Sequence, residues 1–210
     1  MFEKMKSELI QKVNIIRQFR EKMIENDSPE LQKKRSDFLG WLYCRSLVIP
    51  KVLEMYQGNE KTGTIYGNRS IAQYLHEYYL ANTRTQIPTE THAEIDKLPS
   101  KEAVEIICSI CLSLINNGFS FYVFYAEGQR SPHIIIYDFA QLEKLNPYQR
   151  TKARAKFWRM IAPFQIHLLD QSLWDDDHYV PLEYSPHWKY GTPFKLLFKY
   201  TLEEQNATAP

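Results

Sequence analysis

Glu94 and Asp96 stand two residues apart in the segment Thr91-His92-Ala93-Glu94-Ile95-Asp96. In a strand, side chains at i and i+2 project from one face, so the two carboxylates lie side by side. A hard divalent ion such as Mg2+ takes one or two carboxylates, several waters and substrate phosphates, and this pair suits it. The competing reading is a strand end with two solvated acids. Further on, Ser131-Pro132-His133 follows a Gly-Gln-Arg turn and opens an apolar run. A hydroxyl, an imidazole and the Arg130 guanidinium at one strand start offer hydrogen-bond donors to a triphosphate. A hairpin with a partly buried histidine is the plainer alternative. Asp170 ends the apolar segment Ile166-His167-Leu168-Leu169 and supplies a third carboxylate, whereas Asp175-Asp176-Asp177 reads as a solvated loop.

A second kind of chemistry is concentrated between Lys144 and Arg159. Lys144, Arg150, Lys152, Arg154, Lys156 and Arg159 occur there with no acid, and Tyr148, Phe157 and Trp158 are interleaved. Such a helix can follow a phosphate backbone while its aromatics stack on bases. A solvated helix face with its aromatics turned into the core is the alternative.

The elements that must hold these groups divide the chain in two. Ile10, Val13, Ile16, Phe19 and Met23 recur at helical spacing. Asp27-Ser28-Pro29 breaks that pattern and can start a second helix with Pro29 in its first turn. A third amphipathic stretch runs from Phe38 to Tyr56 and a fourth from Arg69 to Asn82. These readings assign residues 1–62 to a helical N-terminal region and 63–210 to the core that carries the site. From about Ile87 the pattern changes to β-branched and aromatic runs. A strand is expected at Thr91–Asp96, then a helix capped by Ser100 with Ala103, Ile107, Ile110, Cys111 and Leu114 on its apolar face, stopped at Asn116-Asn117-Gly118. Strands at Phe119–Ala126 and His133–Phe139 form a hairpin, a helix spans Pro147–Met160, and further strands cover Gln165–Leu169 and Phe194–Tyr200. The fold class is α+β, a mixed or antiparallel sheet with flanking helices.

Composition limits the rest. With 210 residues, 44% of them hydrophobic and 14% aromatic, the chain can bury a full core. A formal net charge of +1 excludes a whole-molecule field that would draw it to nucleic acid, so any such contact needs a local patch. Cys44, Cys108 and Cys111, without a signal peptide ahead of them, fit a reducing compartment and a cytosolic protein; Cys108 and Cys111 fall on the apolar helix face and read as core residues rather than zinc ligands. No run approaches the roughly 18 consecutive apolar residues of a membrane span.

Taken in order, an acid-x-acid strand, a helix, a strand, Ser-x-His opening the next strand and a hydrophobic-hydrophobic-Asp segment resemble the archaeo-eukaryotic primase superfamily, over roughly residues 65 to 200. The first motif reads Glu-x-Asp where Asp-x-Asp is usual. The later segment Ser185-Pro186-His187-Trp188-Lys189-Tyr190-Gly191 resembles a His, Lys and Gly stretch near the base of that family's site, and Arg69 matches a basic residue before the first motif. The resemblance implies an RRM-like catalytic core and template-directed nucleotidyl transfer. Glu94, Asp96 and Asp170 would hold Mg2+ or Mn2+, and Arg130, Ser131, His133, His187 and Lys189 would grip the phosphates of an incoming nucleoside triphosphate. Single-stranded DNA would be the template, against Arg150, Lys152, Arg154, Lys156 and Arg159, and a helicase or large primase subunit the accompanying partner. Two other functions fit the same residues: a catalytically silent nucleic-acid-binding or assembly subunit, and a metal-dependent nuclease.

Overall fold

Two runs, Phe121-Tyr122-Val123-Phe124-Tyr125 and His133-Ile134-Ile135-Ile136, are apolar at almost every position, as a sheet covered on both faces requires. The computed structural model describes residues 29–48, 54–58, 65–70, 83–95, 97–129, 131–187, 190 and 192–202. In it the elements follow the order α1 (Pro29–Val48), β1 (Glu54–Gly58), β2 (Ile65–Ser70), β3 (Thr83–Thr85), β4 (Thr91–Ala93), α2 (Ser100–Asn116), β5 (Phe121–Tyr125), β6 (His133–Ile136), α3 (Pro147–Ile161), β7 (Tyr179–Pro181) and β8 (Lys195–Tyr200), with short 3-10 turns at Ala140–Leu142 and Gln171–Trp174. The fold is α+β. Two antiparallel sheets are formed, one ordered β2-β1-β3-β7 and the other β4-β6-β5-β8.

The second sheet separates two hydrophobic clusters by simple alternation. Phe121, Val123, Tyr125, Ile134 and Ile136 pack with Ile107, Ile110 and Leu114 of α2 and Phe157, Trp158 and Ile161 of α3. Their neighbours Phe124, Ile135 and Tyr137 face the other way, against Leu39 of α1 and Ile87, Leu182 and Phe194. His133, two residues from Ile135, shares that second face and meets the Phe194 ring edge-on, centroids 5.1 Å apart.

Most expected elements from residue 91 onward are present, and the differences have local causes. Pro99, not Ser100, occupies the N-cap of α2, and no side chain caps it; Ser100 is already helical. The helix stops as expected, with Gly118 at φ +70° and the Phe119 N–H returning to Leu114 O. Asn146 and Gln149 form a reciprocal capping box ahead of α3. Residues 165–169 are not a strand: Gln165 N–H bonds Ala162 O and Leu168 N–H bonds Gln165 O, which winds the segment into consecutive turns. One helix, α1, replaces the two expected from Pro29 and from Phe38; it ends at Val48, and Glu54–Gly58 is a strand rather than a helix end. Ile65–Ser70 is likewise a strand, where Arg69 and Ser70 were expected to open a helix. The expected helix around Ile10–Met23 and most of that from Arg69 to Asn82 lie outside the described residues. Among the described residues, no helix is long and apolar enough to cross a membrane.

Between the sheets lies a buried set of charges. Arg84 of β3 donates to both oxygens of Glu183 and to both oxygens of Glu90, at 2.5 to 3.0 Å. The Ile87 N–H also donates to Glu90, and the Tyr137 hydroxyl to Glu183. Burial alone pushes the Glu90 carboxyl up; Arg84 and then His92 together outweigh that and hold it down at about 2. Arg154 of α3 donates to the backbone O of Glu90 at 2.8 Å and to Asp176 at 3.1 Å. Arg150 forms a forked pair with Asp176 at 2.7 Å and reaches Leu145 O. Asp176 is thus an interior residue rather than part of a solvated loop, while Asp175 and Asp177 are exposed.

Glu90 therefore contributes stability that is complete above its unfolded value near 4.5 and is lost as pH falls toward 2, on the order of 3 kcal/mol. Glu90→Gln is expected to lower unfolding free energy at pH 7 by about 3 to 5 kcal/mol, since Arg84 is left partly unanswered. Urea titrations at pH 7 and pH 3 test this: the gap between wild type and variant should narrow in acid, and a constant gap refutes the linkage.

Candidate functional site

Register brings Glu94 near His133. In the β4-β6 ladder, Thr91 opposes Ile136, His92 opposes Ile135 and Ala93 opposes Ile134. The ladder and the strand end there, short of the Asp96 expected from sequence; Glu94, the next residue, reaches His133 by its side chain, Oε2 2.7 Å from Nε2. Ala93 points into the α2/α3 cluster, so alternation turns Glu94 to the opposite face. Asp170 reaches the same place through the main chain: its N–H bonds the backbone O of Glu94 at 2.9 Å. The Asp170 carboxylate also caps the turn that follows, accepting from the N–H and hydroxyl of Ser172 at 3.0 and 2.8 Å.

These groups line a cleft of about 180 Å3 whose wall includes Glu94, Gln129, His133, Asp170, His178, Tyr179, His187 and Tyr190. Its histidines are held from behind. Gln129 Oε1 accepts from the Ala126 N–H at 2.6 Å, which fixes the amide and aims its NH2 at His133 Nε2 and His187 Nε2, 2.9 and 3.3 Å away. An amide NH2 only donates and a carboxylate only accepts. His133 Nε2 therefore bonds Glu94 when it carries a proton and Gln129 when it does not. The one ring nitrogen thus has an acceptor on one side and a donor on the other. Burial pushes the His178 imidazole below its ordinary value, against the pull of the Asp170 and Glu94 carboxylates.

A hairpin-like return brings in His187. Tyr184 N–H bonds Phe194 O, Phe194 N–H bonds Ser185 O, and His187 N–H bonds Thr192 O. The Thr192 hydroxyl ties this return to Glu127 O at 2.7 Å. Tyr190 stacks near His187, centroids 4.8 Å apart, and lies over Gly128, where an added Cβ would sit 3.0 Å from its ring. Gly128 has φ +94°, so the absence of a side chain serves both the turn and the approach.

Of the residues singled out in the sequence, Glu94, His133, Asp170 and His187 line one cleft. Ser131 does not: its buried Oγ accepts from the Ile95 N–H at 2.9 Å and pins the two strand ends together. Asp96, Arg130 and Lys189 lie outside the described residues. Arg150 and Arg154 are buried on Asp176 and are not available to a nucleic acid; Lys152, Lys156 and Arg159 are exposed. Gln129, His178 and Tyr190 were missed. The turn containing Gln129 was visible, but only the register shows that its amide faces two histidines, and His178 was masked by the acidic run before it. Among the described residues no three His, Cys, Asp or Glu side chains form a metal cage.

No protein-family model matches the chain, and no curated protein matches it. Among solved structures it is similar to one titled "Crystal structure of primase RepB'", with 12% sequence identity and a TM-score of 0.44 over 75% of this chain and 55% of that one. The chain thus spans little more than half the length of that protein.

Gly128→Ala is expected to cost about 1 to 2 kcal/mol in chemical denaturation, because the backbone is left-handed there and Tyr190 must shift. Gly40→Ala in α1, with nothing within 4 Å of the new methyl, should instead stabilise by up to about 1 kcal/mol. Equal effects at the two positions would contradict the assigned role of Gly128.

Proposed function

We propose that the protein is a primase-like nucleotidyltransferase of the archaeo-eukaryotic type, acting on a nucleic-acid template and nucleoside triphosphates. The observation that carries this reading is the convergence of Glu94, His133, Asp170 and His187, four residues drawn from distant motifs, on one polar cleft. The reaction joins a 3′-hydroxyl oxygen to the α-phosphorus of the triphosphate and breaks the α–β bridge, releasing pyrophosphate.

Glu94 and Asp170, with Asp96 from the same segment as Glu94, are the groups that would hold Mg2+ or Mn2+. The fit rests on two hard oxygen donors whose main chains are tied at 2.9 Å on an open polar cleft, which matches an ion that needs only one or two protein carboxylates beside water and phosphate. Bound there, the metal supplies charge neutralisation for the attacking and leaving oxygens. The chain's own groups do the rest. His133 and His187 present ring nitrogens to phosphate oxygens, and Gln129 sets the direction of both rings. His133 Nε2 donates to Glu94 when protonated and accepts from Gln129 when not, so the ring keeps a partner in either form. Arg130 and Lys189 are assigned to the triphosphate on their sequence positions, and Ser131 to fixing the strand ends rather than to the nucleotide.

The test is extension of labelled nucleotides on single-stranded DNA, primed and unprimed, with Mg2+ or Mn2+. His133→Ala, Asp96→Ala and Asp170→Asn should each lower product formation by about 100-fold or more, the usual loss when one charge-stabilising group is removed. Absence of product from wild type with either metal, or unchanged product from the variants, refutes the catalytic reading. Degradation of the template that disappears in the same variants would assign a nuclease to the cleft instead.

A further inference from the structure

The residues of α3 and the turn after it separate into an inward and an outward set. The helix carries five arginines and lysines and no acid. Arg150 and Arg154 are spent inside on Asp176, so the outward charge is that of Lys152, Lys156 and Arg159. The same surface carries large apolar groups: Tyr148 is 67% exposed, Met160 59% and, just past the helix end, Phe164 84%. Only Tyr179 and Leu202 join them as exposed large hydrophobics among the described residues. The Lys152 ammonium sits 4.2 Å from the centre of the Tyr148 ring. Three residues beyond Phe164, His167 lines a hollow of about 320 Å3 with Lys97 and Asp170, and Asp170 also lines the cleft. A basic ridge with an aromatic ring near each end thus leads toward the site.

Cations at one-turn spacing match a chain of phosphates, and exposed ring faces match bases. In a duplex the base faces are already stacked on one another; in a single strand they are open. An acidic peptide would answer the lysines and leave both rings unclaimed. We infer that this ridge is a binding surface for single-stranded nucleic acid, with Lys152, Lys156 and Arg159 along the backbone and Tyr148 and Phe164 stacking on bases at its two ends. The inference deepens the proposed function by giving the template a place, and it is measured without nucleotide or metal, so an inert cleft and a non-binding ridge give different results.

Fluorescence anisotropy of labelled oligothymidylate and oligouridylate, titrated with the full chain in EDTA over a range of salt, tests it. Phe164→Ala should weaken binding roughly tenfold, the loss expected for one stacked base. Lys152→Glu with Lys156→Glu should weaken it further and reduce the slope of log affinity against log salt by about 1.4, or about 0.7 for each lost phosphate contact. Both variants alter exposed side chains, and circular dichroism melting should leave them within a few degrees of wild type. A duplex of equal length should bind more weakly than the single strands; DNA and RNA arms that differ would identify the natural strand. The inference is overturned if wild type does not bind either oligonucleotide at low salt, if folded Phe164→Ala binds as wild type does, or if the salt slope is unchanged by charge reversal. Displacement of the oligonucleotide by polyglutamate at matched charge concentration would also overturn it, in favour of an acidic protein partner.

Discussion

Glu90 is gripped from two directions, and the placement of the site depends on that grip. Its side chain takes two donors from Arg84 and one from the Ile87 N–H, while its backbone oxygen takes the Arg154 guanidinium. Burying such charges is costly unless each is answered, and here three arginines, Arg84, Arg150 and Arg154, face three carboxylates, Glu90, Glu183 and Asp176. Burial tends to strip the Arg84 proton, but Glu183 and Glu90 outweigh it and hold the guanidinium charged. The residue after Glu90 begins β4, and Trp158 of α3 donates to its Thr91 hydroxyl at 2.8 Å. The strand that delivers Glu94 therefore starts from a point fixed by helix α3, strand β3 and the Glu183 segment together.

From that anchor the cleft is assembled with little freedom. Ala93 and Ile95 on either side of Glu94 pack into the α2/α3 cluster, and Glu94, turned the other way, meets His133. Ser131 locks the start of β6 to Ile95. The histidines take their direction from Gln129, whose own orientation is set by the Ala126 N–H rather than by another flexible side chain. Side chains supported in this way are held in one orientation by main-chain groups behind them.

Much of this was legible in the sequence because period is a strong signal where burial is complete. The β5-β6 hairpin, α2 with its stop at Gly118, and α3 with Pro147 in its first turn follow from composition and spacing. What misled was chemistry whose partner is remote. Arg150 and Arg154 belong to a helix without acids, which reads as a solvated basic face; their counter-ion is the middle member of an acidic triplet that itself reads as loop. No local pattern links Arg154 with Asp176. The run Ile166-His167-Leu168-Leu169 has strand composition, yet Pro163 and the hydrogen bonds at Gln165 and Leu168 turn it. Ser131 has the expected position and a different duty, since a hydroxyl at a strand start satisfies a backbone donor as readily as a ligand. In the N-terminal half, Glu54–Gly58 pairs with two other strands, and long-range pairing of that kind overrides a short helical spacing.

The hydrogen bond between the Asp170 N–H and the Glu94 carbonyl makes the distance between the two attachment points a property of the main chain. Exchanging Glu94 for aspartate would withdraw its carboxylate by one methylene and leave the anchor where it is. Side-chain length thus adjusts the gap finely, whereas only an insertion or deletion in the turns before Asp170 would reset it.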